Sequence, residues 1–108
     1  GVFRVQMNES LATILITNLL KNAFVHNVDG GHIRIEITSH RFTFCNSGVE
    51  HSLDSTHIFE RFYQGTKKEG STGLGLAIVD SICRLQNIGL KYYFQNGEHC
   101  FEISEEQI

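Results

Sequence analysis

The sequence predicts an α+β two-layer sandwich, with a mixed, mostly antiparallel sheet carrying its helices on one face. Three observations predict it. Two segments repeat their apolar residues at helical spacing, around "LATILITNLLKNAFVH" and "LGLAIVDSICRL". Short alternating segments come in adjacent pairs, as hairpins do. Between "LKYYF" and "CFEI" stands Asn96-Gly97, a pair that adopts the left-handed conformations of a tight hairpin turn.

Taken in order, Val2 to Met7 alternates weakly and is expected to be an edge strand. Asn8 or Ser10 then offers a side-chain oxygen to cap a helix running from Leu11 to about His26. Its apolar stripe is expected to comprise Leu11, Ile14, Leu15, Leu19 and Ala23. "VDGG" is a turn, and "HIRIEIT", His32 to Thr38, alternates like a half-buried strand. Ser39-His40 turns the chain into "RFTFC", its hairpin partner, and "NSGVEHSLDST" is loop-like. "HIFERFYQG" is aromatic and long enough for one or two helical turns, and "TKKEGST" is polar and expected to be mobile from Gly65 to Thr72. The second helix, Leu74 to Leu85, is expected to bury Leu74, Ile78, Ile82 and Leu85, before the closing hairpin.

The totals narrow the function classes. The chain has 108 residues, 41% hydrophobic and 19% charged, the composition of one globular unit. A net charge of -3 gives no basic footprint for nucleic acid. Cys45, Cys83 and Cys100 are odd in number and show no CxxC spacing, which argues against a disulfide framework or a zinc motif and fits a reducing compartment. No apolar run approaches the ~20 residues that span a bilayer, and no signal peptide is recognisable.

Asn18, Asn22 and His26 recur every four residues, so all three share one face of an otherwise apolar helix. An asparagine is a mediocre helix former, and a buried amide without a partner costs about 1–3 kcal/mol. Two readings stand at this point. The amides satisfy nearby backbone or solvent, or they line a ligand cavity where amide oxygens ligate a hard cation such as Mg²⁺.

The run "EGSTGLGLAIV" poses a similar choice. "GTKKEGST" has Gly65 and Gly70 at phosphate-loop spacing, but Ser71 stands where that loop needs lysine. "GLGLAI" fails the dinucleotide fingerprint, because a polar segment and not a strand precedes it. What remains is physical. Gly73, Leu74, Gly75 and Leu76 open a helix whose backbone N–H groups and dipole favour an anion, and Arg61, Lys67 and Lys68 just upstream can answer a polyphosphate. The alternatives are a solvated lysine loop and glycines that allow tight helix packing.

Together and in this order, "NLLKNAFVHN", "NSG", "IFERFYQG" and "GSTGLGLAIV" resemble the ATP-binding catalytic domain of sensor histidine kinases. That family belongs to the wider group of type II topoisomerases, heat-shock protein 90 chaperones and mismatch-repair MutL proteins. The resemblance covers Asn8 to about Ile103, and the pairing of "IFERFYQG" with "STGLGLAIV" is its most specific part. It implies a Bergerat-type sandwich with ATP between sheet-packed helices and a mobile lid.

Residue by residue, it implies that Asn22 ligates a Mg²⁺ bridging the phosphates and that Asn18 lies beside them. Asn46 and Gly48 match the first glycine box, where an aspartate usually accepts from the adenine amino group. Phe59 and Phe62 match the lid-anchoring phenylalanine box. Arg61 and Gln64 fall where the family places phosphate-facing or partner-domain residues. Gly73 and Gly75 match the second glycine box, over the phosphates.

Three departures stand out. Asn46 replaces the aspartate, Glu50 replaces a glycine, and Val25 stands where many relatives place a phosphate-contacting lysine or arginine. His26, beside Val25, takes that place when protonated. The resemblance also implies partners: a dimerisation domain bearing the phosphoacceptor histidine, a response-regulator receiver domain, and homodimerisation of the full-length protein.

None of the six histidines is followed by the acidic residue usual at a phosphoacceptor. The chain is therefore read as an excised, N-terminally trimmed catalytic fragment, the cytosolic part of an inner-membrane sensor. The expected activity is γ-phosphoryl transfer from ATP to a histidine on the separate domain. The alternative is a degenerate, non-catalytic nucleotide-sensing module, motivated by Asn46, Glu50 and Val25.

Overall fold

The computed structural model describes residues 7–25, 27, 30–48, 57–59 and 74–105. Six elements follow in the order α1 (Glu9–Val25), β1 (Ile33–Ile37), β2 (Arg41–Ser47), α2 (Gly75–Gln86), β3 (Gly89–Gln95) and β4 (Glu98–Ser104). The strands form one sheet in the order β1-β2-β4-β3, and every pairing among the described residues is antiparallel. The α+β sandwich is as expected. The parallel component of a mixed sheet is not found among these strands.

Local chemistry explains the element ends. The side chain of Asn8, not that of Ser10, caps α1: its Oδ1 accepts from the Ser10 N–H at 2.8 Å and from the Leu11 N–H at 3.4 Å. Asn87 ends α2 in the left-handed conformation at φ 60°, and the next residue, Ile88, donates back to the Cys83 carbonyl at 3.0 Å. Asn96 and Gly97, at φ 53° and 77°, make the tight turn between β3 and β4. Neither value troubles glycine, and asparagine tolerates the left-handed region better than other residues with a Cβ.

The core lies between the helices and one face of the sheet. Leu15 and Leu19 of α1, Val79, Ile82 and Cys83 of α2, and Phe44, Phe101 and Ile103 of the sheet are its buried members. Phe101 is central: its ring lies 5.1 Å from Tyr92 and 6.1 Å, edge-on, from Phe59.

The helical stripes differ from expectation. Leu15, Leu19 and Ala23 are buried as expected, but Ile14 is exposed. On α2, Ile82 is buried while Ile78 and Leu85 are 39% and 71% exposed; Ala77, Val79 and Cys83 take their place. The two candidate stripes share Ile82 and both fit helical spacing. Packing against the sheet selects the rotation.

The sheet also departs in two places. β1 is mostly exposed, with Ile35 and Ile37 about half accessible even on the helix side, because α1 packs over β2 and α2 over β3, at the other side of the sheet from β1. β2 runs two residues further than expected, so Asn46 and Ser47 belong to the strand. Asn46 is placed between Ile33 of β1 and His99 of β4, and ladder bonds on both sides outweigh the loop-like composition. The expected strand at Val2–Met7 lies outside the described residues except for Met7, which packs against the core.

Candidate functional site

Alternation along the strands sorts their side chains onto two faces. Phe42, Phe44 and Asn46 of β2 share the helix-covered face with His99, Phe101 and Ile103 of β4. Arg41, Thr43, Cys45 and Ser47 share the outer face with Glu98, Cys100, Glu102 and Ser104. Asn46 is thus a polar residue on the apolar side.

It is 2% exposed. Its Nδ2 donates to the Ser47 carbonyl at 2.8 Å, which fixes the amide orientation and turns Oδ1 the other way. That oxygen is buried and has no hydrogen-bond partner among the described residues. An unpaired buried acceptor costs about 1–3 kcal/mol. His99, its cross-strand neighbour, is held by Tyr92: the Tyr92 hydroxyl lies 2.7 Å from His99 Nδ1, and the two rings are stacked. Gly48 follows, also buried. The Tyr92–His99 pair beside Asn46 was not legible as part of a site; its only signal is that "HCFEI" alternation turns His99 inward.

The helices supply a second set of groups. Asn18 of α1 donates through Nδ2 to the Ile14 carbonyl at 2.8 Å, one turn back. Its Oδ1 is left facing the first residue of α2. A Cβ placed on Gly75 would lie 3.1 Å from that oxygen, tighter than ordinary contact. A side chain at Gly75 would press on this amide, which would have to give by a few tenths of an ångström. Asn22 stands one turn beyond Asn18 on the same face and is half-buried. At the start of α2, Leu74 makes no side-chain cap hydrogen bond, and Leu76 packs toward the core. The N–H groups and the dipole of a helix start attract anions.

So the structure brings Asn18 and Gly75 together and places Asn46 and Gly48 at the end of β2 on the helix side. His26, Arg61, Gln64, Lys67, Lys68 and Gly73 lie outside the described residues, as do Glu50, Phe62 and the lid from Gly65 to Thr72. Of the phenylalanine box, Phe59 is seen, packed on Phe101.

Residues 7–105 match the family model described as histidine kinase-, DNA gyrase B- and HSP90-like ATPase. The chain belongs to this ATPase family. The domain is similar to the sensor histidine kinase RppB of a Synechocystis strain, 40% identical over 84 residues, covering 69% of this chain and 18% of that protein. It is 38% identical over 97 residues to the heme sensor protein HssS of Staphylococcus aureus, covering 85% of this chain and 21% of that protein. The ATPase domain thus spans about a fifth of the length of the curated relatives it matches. Among solved structures, it superposes on a mycobacterial sensor histidine kinase, MprB, with a TM-score of 0.75 at 20% identity, over 96% of this chain and 78% of that one. The catalytic domain of histidine kinase ThkA gives 0.75 at 23%, over 95% of this chain and 70% of that one. At such identities the likeness is one of fold. No helix among the described residues is long and apolar enough to cross a membrane.

Proposed function

We propose that this domain binds ATP and transfers its γ-phosphoryl group to a histidine on a separate dimerisation domain of a two-component sensor. The observation that carries the reading is Asn46 Oδ1, buried, oriented and unpartnered on the helix side of β2. An adenine amino group is the donor that such an acceptor suits. Being neutral, the amide makes a weaker bond than the aspartate of many relatives.

The phosphates then belong at the start of α2, beside Asn18 and Asn22. Asn18, through Oδ1, and Asn22 supply amide oxygens of the kind that hold Mg²⁺, so the residues present fit that cation. Mg²⁺, when bound, neutralises phosphate charge. His26, Arg61, Gln64, Lys67, Lys68 and Gly73 are assigned to the phosphate side on the family motifs. In the transfer the bond from the γ-phosphorus to the β–γ bridging oxygen breaks, and a bond to the acceptor nitrogen forms. The protein contributes positioning and charge complementarity and no covalent intermediate. In the parent protein the domain works as one half of a homodimer on the cytoplasmic side of an inner-membrane sensor, and a response-regulator receiver domain accepts the phosphoryl group.

The test is calorimetric binding of ATP with and without Mg²⁺, followed by phosphorylation of a supplied phosphoacceptor hairpin. Asn22→Ala is expected to abolish the Mg²⁺-dependent part of the affinity. Unchanged Mg²⁺ dependence in that variant removes the metal role. Asn46 itself favours a second reading, a nucleotide-sensing module without catalysis. ATP binding without phosphorylation of the supplied hairpin, with transfer restored by Asn46→Asp, would select it.

A further inference from the structure

The outer face of the sheet carries a group of side chains that the nucleotide reading does not use. Cys45 of β2 and Cys100 of β4 stand directly opposite one another. Glu98 lies two residues before Cys100 and therefore points to the same side. The backbone bond from the Glu105 N–H to the His40 carbonyl sets the ladder rhythm between β2 and β4, and makes Cys45 and Cys100 a non-hydrogen-bonded pair. In such pairs the Cα atoms are about 4.5 Å apart and the side chains are at their closest. Both cysteines are buried and both thiols are free. The two sulfur atoms and a Glu98 carboxylate oxygen all lie within 4.8 Å of one another.

We propose that Cys45, Glu98 and Cys100 form a binding site for Zn²⁺ on the sheet face opposite the nucleotide site. Zn–S and Zn–O bonds of about 2.3 and 2.1 Å put tetrahedral donors roughly 3.6–3.8 Å apart. The three donors need close by no more than about 1 Å, which side-chain rotation supplies. Two thiolates and a carboxylate suit a borderline-soft cation and leave one position for water. His32 already holds the carboxylate, with Nε2 at 2.8 Å from Glu98 Oε2, as outer partners of metal-binding carboxylates do.

A cation occupies the cluster now. The Arg34 guanidinium donates through Nη2 to Glu98 Oε1 at 2.7 Å and approaches the Cys45 sulfur at 3.6 Å. Its side chain is 45% exposed and also pairs with Glu36, so it can leave the cluster while keeping an ionic partner. Zn²⁺ and Arg34 therefore compete. A disulfide between the same cysteines needs only the two sulfur atoms; the carboxylate beside them, which already holds a guanidinium, answers to a cation. Burial raises both thiols above the ordinary cysteine value. Metal uptake breaks two S–H bonds, forms two metal–sulfur bonds and releases two protons to the buffer.

The site is tested on the complete, reduced, metal-free chain by titration with Co²⁺, then displacement by Zn²⁺. One equivalent of Co²⁺ with a thiolate-to-metal charge-transfer band, and about two protons released to an indicator dye, are expected. Cys45→Ser with Cys100→Ser is expected to lower affinity at least about 100-fold and to abolish the band, although Cys83 remains in the helix-side core. Arg34→Gln, a change at a half-exposed position, is expected to tighten Zn²⁺ about 10-fold. Absence of the band, or its persistence in the double serine variant, overturns the site. So does an Arg34→Gln protein that binds no more tightly than the parent.

Discussion

The two faces of the sheet are made by alternate residues of the same strands, yet they solve burial differently. On the helix side, Phe44, Phe101 and Ile103 are buried by apolar packing, and the one misfit, Asn46, keeps an unpartnered oxygen. On the outer side, Cys45, Thr43 and Cys100 are also buried, but their surroundings are polar and charged: Arg34, Glu98 and, opposite Cys100, Tyr93. Among the described residues, no buried side-chain oxygen or nitrogen there lacks a partner. The difference teaches that the covered face leaves one acceptor open to a ligand, whereas on the outer face any incoming cation must displace Arg34 from an internal pairing.

The largest effect that sharpens this contrast is at the centre of the apolar face. Phe101→Ala removes a fully buried ring and is expected to cost about 3–5 kcal/mol in denaturant unfolding. A loss below about 1 kcal/mol would mean that the helix-side core is not the main support of the sheet.

Next is Asn46→Asp. It places a charge on the buried acceptor, and is expected to cost the free protein about 1–3 kcal/mol at neutral pH while strengthening ATP binding. Burial raises the new carboxyl, so the deficit should shrink as the pH falls and the group takes up its proton. A variant as stable as the parent at pH 7 would break the claim that this oxygen is kept from water.

The smallest effect belongs to the outer face. Arg34 hydrogen-bonds Glu98 and holds its carboxyl below the ordinary value of 4.5. The contribution of the carboxylate is therefore complete above pH 4.5 and lost as the pH falls through the lower folded value. Glu98→Gln should flatten this acid limb in melting temperatures measured across that range. An unaltered limb would show that the pairing contributes nothing measurable, as many accessible ion pairs do not.

Much of this was legible in one dimension. Apolar spacing identified both helices, alternation identified the strands, and Asn96-Gly97 located the last turn to the residue. These are local properties, decided by φ/ψ preference and side-chain periodicity. Asn18 and Asn22 stood out because two amides on one apolar helix face conflict with burial; the Asn18 Nδ2 is satisfied by nearby backbone, the Ile14 carbonyl.

Other features were decided only by packing. Ile78 and Val79 offer equally regular stripes, and only the sheet selects the one that is buried. Asn46 reads as a loop residue until β1 and β4 bond it from both sides. Gly75 meets an amide oxygen on another helix. Cys45 and Cys100 show no motif, because the register of β2 on β4 joins segments far apart in the chain. Sequence alone determined the kind and order of the described elements, since those are settled within a few residues, but not every boundary. Which side chains meet depends on helix rotation and strand register, and those are set by the whole core at once.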